Sequence, residues 1–152
     1  MTPEQLARKR AYAEVELLET VPLGRGQLQR WRPKRYIDAS IVSVYVKADG
    51  TPLVPAEGPA SLTEALRDLS PPLDSPKEFI DVFNTLMGPN RPEVTTLLAE
   101  AGVRTNLKLP EPRYTGKEIV FLVDDFSEHQ FLRVIVSRDY QVRFEDVQPG
   151  EV

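Results

Sequence analysis

The rhythm of apolar and polar positions changes repeatedly along this chain, and each change marks an expected element. Thr2-Pro3-Glu4-Gln5 has the form of a capping box with proline at the first helical position. A helix is therefore expected to begin there and to run to about Thr20, before Val21-Pro22. At about 100° per residue, Leu6, Ala7, Ala11, Val15, Leu17 and Leu18 fall within one half of its circumference. The same side carries Arg10 and Glu14, spaced to pair with each other, so it reads as a docking surface rather than a sealed core face. From Pro22 to Tyr36 no period is sustained, and Gly24, Gly26, Pro33 and five basic residues mark an irregular or extended connector.

Beyond the connector the period becomes two. Val42, Val44 and Val46 alternate with Ser43, Tyr45 and Lys47, as in a half-buried strand. Asp49-Gly50 is a hairpin turn signal, and Pro52 confines the short return strand Thr51 to Val54 to a sheet edge. Three short helices are expected next. Ser61-Leu62-Thr63-Glu64 and Ser75-Pro76-Lys77-Glu78 open the first two, and Asn90 with Pro92 and Glu93 opens the third, which Gly102 closes. The second has the cleanest apolar arc, made of Phe79, Ile80, Val82, Phe83, Leu86 and Met87.

After the extended link Pro110-Glu111-Pro112, three strands are expected. Ile119 to Val123 is a continuous apolar run, as in a strand buried on both faces, and Phe131 to Val136 and Val142 to Val147 follow across short polar turns. The expected fold class is α+β. A mainly antiparallel sheet, built from an N-terminal hairpin and a C-terminal three-strand meander, is covered by three short helices and preceded by an amphipathic helix and a basic connector. The expected division is an arm over 1–36, one compact domain over 37–147 and a tail over 148–152. Phe79, Ile80, Phe83, Leu97, Val120, Leu122, Val134 and Ile135 are expected to share its core.

Composition narrows the function classes. The 152 residues suffice for a core without covalent staples. Cysteine is absent, which removes disulfides, zinc-thiolate sites and thiol nucleophiles and fits a reducing compartment. With neither a signal-like start nor an apolar run of about 18 residues, a soluble cytoplasmic protein without membrane contact is expected. The net charge of -4 conceals a polarity. Residues 1–36 hold eight Lys/Arg against four Asp/Glu, whereas residues 37–152 hold eleven against nineteen, giving about +4 and -8.

The catalytic inventory is sparse. His129 is the only histidine, with Ser127 and Asp125 nearby, but no Gly-x-Ser-x-Gly elbow accompanies them. Asp124, Asp125 and Glu128 form the best acidic cluster, and their oxygens suit Mg²⁺ or Ca²⁺. Consecutive strand residues point to opposite faces, however, so the two aspartates converge on one ion only if the strand has ended. No catalytic residue, metal site or cofactor is therefore assigned. The informative stretch is Arg25, Arg30, Trp31, Arg32, Lys34, Arg35 and Tyr36, with five cations around the only tryptophan and a tyrosine. Cations and stacking rings suit single-stranded nucleic acid, and the same residue types dominate protein interfaces. The expected function is a non-catalytic assembly or partner-binding protein. It docks on another protein or a second copy of itself through Leu17, Leu18 and the basic aromatic segment. An accessory nucleic-acid-binding protein is the alternative, and a metal-dependent enzyme using Asp124, Asp125 and Glu128 stands third.

Overall fold

The computed structural model describes residues 1–35, 41–87, 112–125 and 130–147. The third helix over 90–102, the Pro110-Glu111 link, Tyr36, Ser127, Glu128 and His129 lie outside them. The fold is mixed α and β, with two antiparallel four-stranded sheets. The chain groups into two compact units. Among the described residues, the first holds 1–35, 41–70 and 85–87, and the second holds 71–84, 112–125 and 130–147.

In the first unit, helix α1 (Pro3–Ala11) opens with the expected capping box. Thr2 accepts from the Gln5 N–H while the Gln5 side chain accepts from the Thr2 N–H. It ends far short of Thr20. Tyr12 takes a left-handed conformation, φ 56°, and its N–H closes on the Arg8 carbonyl. The residues beyond form a strand instead, because Val15, Thr20 and Val21 are β-branched and a partner strand lies next in sequence. β1 (Val15–Leu23) pairs with β2 (Gly26–Pro33), β2 with β3 (Val42–Val46), and β3 with the two-residue edge strand β4 (Pro52–Leu53). The segment expected as helix and connector arm thus supplies half of a sheet, with β2 paired directly to β3.

The Asp49-Gly50 turn forms as expected. Gly50 has φ 90° and donates to the Lys47 carbonyl, and the Thr51 N–H donates to Asp49 Oδ1 at 2.9 Å, holding that carboxyl below its ordinary range. The opposing hairpin turns at Gly24, φ 58°. A Cβ there would also strike Leu69 of helix α2 (Pro59–Leu69). That helix starts at Pro59 behind Gly58, two residues before the expected Ser61, because proline already suits the first helical position.

β3 is buried on both faces, not one. Val44 and Val46 face Ala7, Val15, Trp31 and Val54, with Leu6, Ala11 and Val42 at the margin, so α1 covers this side. Tyr45 and Ser43 point the other way, beside Leu28, and the Tyr45 hydroxyl reaches Asp68 of α2. The sheet is therefore a middle layer between two helices. Alternation in β3 sorts side chains between two covered faces rather than between a buried and an exposed one.

Helix α3, most of which belongs to the second unit, begins at Pro76 as expected, and its described length runs to Met87. The sheet runs β5 (Arg113–Tyr114), β6 (Glu118–Asp125), β7 (Gln130–Ser137) and β8 (Val142–Val147), in chain order. Phe79 and Phe83 of α3 meet Phe121 of β6 edge to face, with ring centroids 6.1 and 4.8 Å apart. The register sets Ile119, Phe121 and Val123 on one face with Val136, Val134 and Leu132. Val120 and Leu122 lie on the other, opposite Ile135 and Arg133. The expected single core is thus divided between two sheet faces. Ile80 and Val120 are only half-buried, and Leu97 lies outside the described residues.

Candidate interaction surface

The register of β1 against β2 explains where the basic aromatic segment goes. Glu16 opposes Arg32 and Leu17 opposes Trp31, but the next pair is Glu19 with Arg30, leaving Leu18 as an extra, bulged residue. Three positions apart, the two glutamates would point to opposite faces of a regular strand. The bulge returns Glu19 to the Glu16 face, so each meets an arginine on β2, two positions apart. Glu16 Oε1 accepts from Arg32 Nε and Glu19 Oε1 from Arg30 Nη1, both at 2.5 Å.

Trp31 alternates to the other face and packs under α1, only 8% exposed, with its indole N–H donating to Gln29 Oε1 at 3.2 Å. The indole is thus a core side chain on the face opposite Arg30 and Arg32, and the expected array of one ring among five cations does not form. Arg25, in the hairpin turn, and Lys34 and Arg35, just past β2, are exposed and make no ion pair among the described residues.

Leu17 and Leu18 sit on a strand and not on a helix. β1 is the outer strand of its sheet, paired among the described residues only with β2. Its Leu17 and Leu18 are 46% and 42% exposed, adjacent, and flanked by exposed Glu19 and Thr20. Tyr12, 91% exposed, stands just before the strand. It lines a shallow groove of about 530 Å³ with Gln5, Arg8, Lys9, Ala13 and Glu14. The Lys34 N–H donates to the Glu14 carbonyl at 2.8 Å, which brings Lys34 to the same end of β1. Sequence reading missed Tyr12 as a surface feature. Its signal was an aromatic just after the basic last turn Arg8-Lys9-Arg10.

The other notable titratable arrangement is enclosed. Burial, reinforced by the hydrogen bond and charge of Asp68, pushes the Tyr45 hydroxyl far above its ordinary range. It donates to Asp68 Oδ2 at 2.6 Å. Gly26 leaves no room beside it, since a Cβ there would lie 2.2 Å from the Val46 carbonyl oxygen and 2.8 Å from the Tyr45 hydroxyl. With no open space at the oxygen, the pair acts as a clasp between β3 and α2.

Asp124 and Asp125 both belong to β6, with backbones paired to Phe131 and Gln130. Among the described residues, no three acidic or histidine side chains are grouped to hold a metal ion. Nor is any described helix long and apolar enough to cross a membrane. Compared with known proteins, the chain matches no family model, no curated protein and no solved structure.

Proposed function

We propose that this chain is a non-catalytic partner-binding or assembly protein that docks through the β1 edge. The observation that supports this most is the adjacent pair Leu17 and Leu18, exposed on a nine-residue outer strand. An open edge offers backbone donors and acceptors in a row, and natural sheets usually blunt it. Here the bulge and Pro22 do so only in part. Self-association and docking on a different protein both satisfy such an edge.

Two measurements on the full chain test the proposal: light scattering of the pure chain across concentration, and photo-cross-linking inside the expressing cell from a benzophenone side chain placed at Leu18. A concentration-dependent mass or a discrete cross-linked product is expected, and either should be lost when Leu17 and Leu18 are replaced by Asp. Those exposed replacements should alter stability by no more than about 0.5 kcal/mol. A monomer at every concentration with no cross-linked product would overturn the reading.

Titration of single-stranded DNA and RNA probes the alternative. With Arg30 and Arg32 paired to glutamates, three exposed cations would give a log-log salt slope of about -2. Tight binding with that slope, abolished by replacing Arg25, Lys34 and Arg35, would favour an accessory nucleic-acid-binding role instead.

A further inference from the structure

The docking reading leaves the occupant of the β1 edge open, and the charges at the two ends of the strand narrow it. At the hairpin turn stands Arg25, exposed and without an ion pair among the described residues. At the other end stand Lys34 and Arg35, with Lys9 across the groove, against the single free carboxylate of Glu14. Along the middle, the Glu16 and Glu19 carboxylates are already taken by Arg32 and Arg30. Among the described residues, the edge is therefore an apolar step between two cationic ends, with no net negative charge along it.

We infer that the edge takes an extended, acidic segment of a different protein as an added strand, with apolar side chains over Leu17 and Leu18 and carboxylates at both ends. Strand addition draws affinity from main-chain hydrogen bonds and specificity from the side chains that alternate along the strand. Here specificity is electrostatic, since like charges across an interface are strongly disfavoured. A second copy of β1 fits less well in either direction. Run antiparallel, it sets Arg25 of one chain beside Lys34 and Arg35 of the other. Run parallel, it sets each cationic end against its own duplicate. The groove beside Tyr12 opens at the residues leading into β1 and extends the track by an exposed aromatic ring, a side chain that often anchors interfaces.

This inference rests on the β1 edge being the docking element, and the test separates the two claims. The probe is a fluorescein-labelled peptide equal in length to β1, nine residues, of sequence Asp-Asp-Val-Thr-Val-Thr-Val-Asp-Asp, followed by anisotropy with the full chain. Its twins carry Lys in place of every Asp, or N-methyl groups on alternate central amides. The acidic peptide is expected to bind about tenfold or more tighter than the lysine twin. N-methylation should weaken it by about tenfold, the scale of one net hydrogen bond. Replacing Arg25, Lys34 and Arg35 together by Glu should reverse the preference. No binding of the acidic peptide, equal binding of the acidic and lysine peptides, or indifference to N-methylation would each overturn the inference. So would a dimer whose cross-links from Leu18 join two copies of this chain. If a different protein still cross-links at Leu18 while the peptides fail, the docking edge stands and only the chemistry assigned to its occupant falls.

Discussion

The two sheets have the same strand number and the same antiparallel, chain-order topology, yet they distribute their charges and their exposed surface differently. In the β5–β8 sheet, Arg143 spans from Glu118 on β6 to Glu145 on its own strand, and Arg133 adds a second contact to Glu145. The network lies over the face that holds Leu122 and Ile135, and long aliphatic stems can cover such apolar positions while their charged ends reach water. In the β1–β4 sheet the ion pairs are confined to β1 and β2, Tyr45 is clasped to Asp68, and two leucines remain uncovered at the outer strand. The lesson is that an ion-pair layer across the middle of a sheet closes a face, whereas one at the margin leaves the edge beyond it open.

Matched truncations probe both cores and should have the largest effects. Phe83→Ala removes a ring in edge contact with Phe121, and Trp31→Ala removes the ring beneath α1. Each is expected to cost about 3–5 kcal/mol, read from urea or thermal unfolding by circular dichroism. An unchanged midpoint in either variant would remove that residue from its core. For Phe83→Ala, the emission of Trp31, the only tryptophan, reports on the first unit separately.

The Tyr45 clasp comes next, with an expected loss of about 1–2 kcal/mol for Tyr45→Phe at neutral pH. Its signature is the pH dependence. The folded hydroxyl ionises well above the unfolded value of about 10, so the neutral form is favoured by folding. That stability is complete below about pH 10 and is lost as pH rises toward the folded value, because the unfolded chain releases the proton first. The stability difference between the native chain and Tyr45→Phe should therefore shrink above about pH 10, and a constant difference would show that the hydroxyl is not enclosed.

The smallest effect belongs to the marginal ion pairs. A double-mutant cycle on Glu19 and Arg30 should give a coupling of about 0.2–1 kcal/mol, reduced by salt, since Glu19 is largely exposed. A coupling well above that would mean that the bulge at Leu18 is held by charge rather than by strand pairing.

Legibility differed between the regions for identifiable reasons. Ile119 to Val123 and the arc around Phe79 and Phe83 were readable because many consecutive positions share one environment, and both became core elements. Residues 12–33 were misread because Leu17 and Leu18 also satisfy a helical arc, and the bulge at Leu18 breaks the period of two that would have exposed the strand. Gly24 and Gly26 read as marks of an irregular connector, although a glycine at a two-residue turn was the better clue to a hairpin. Of the candidate site, Leu17, Leu18, Arg25, Lys34 and Arg35 are exposed, while Trp31 is enclosed and Arg30 and Arg32 are paired.

By itself, then, the sequence determined the mixed α and β character, the capping of α1, the Asp49-Gly50 turn, the start of α3 and the apolar run of β6. All of these follow from contacts within a few residues of one another. Only the tertiary structure decided that β1 and β2 are strands, that β3 is covered on both sides, and that Glu16 and Glu19 share a face. It also decided which side of its sheet the tryptophan occupies. Each of those outcomes depends on the register between strands, and a register is a relation between distant segments that no local pattern specifies.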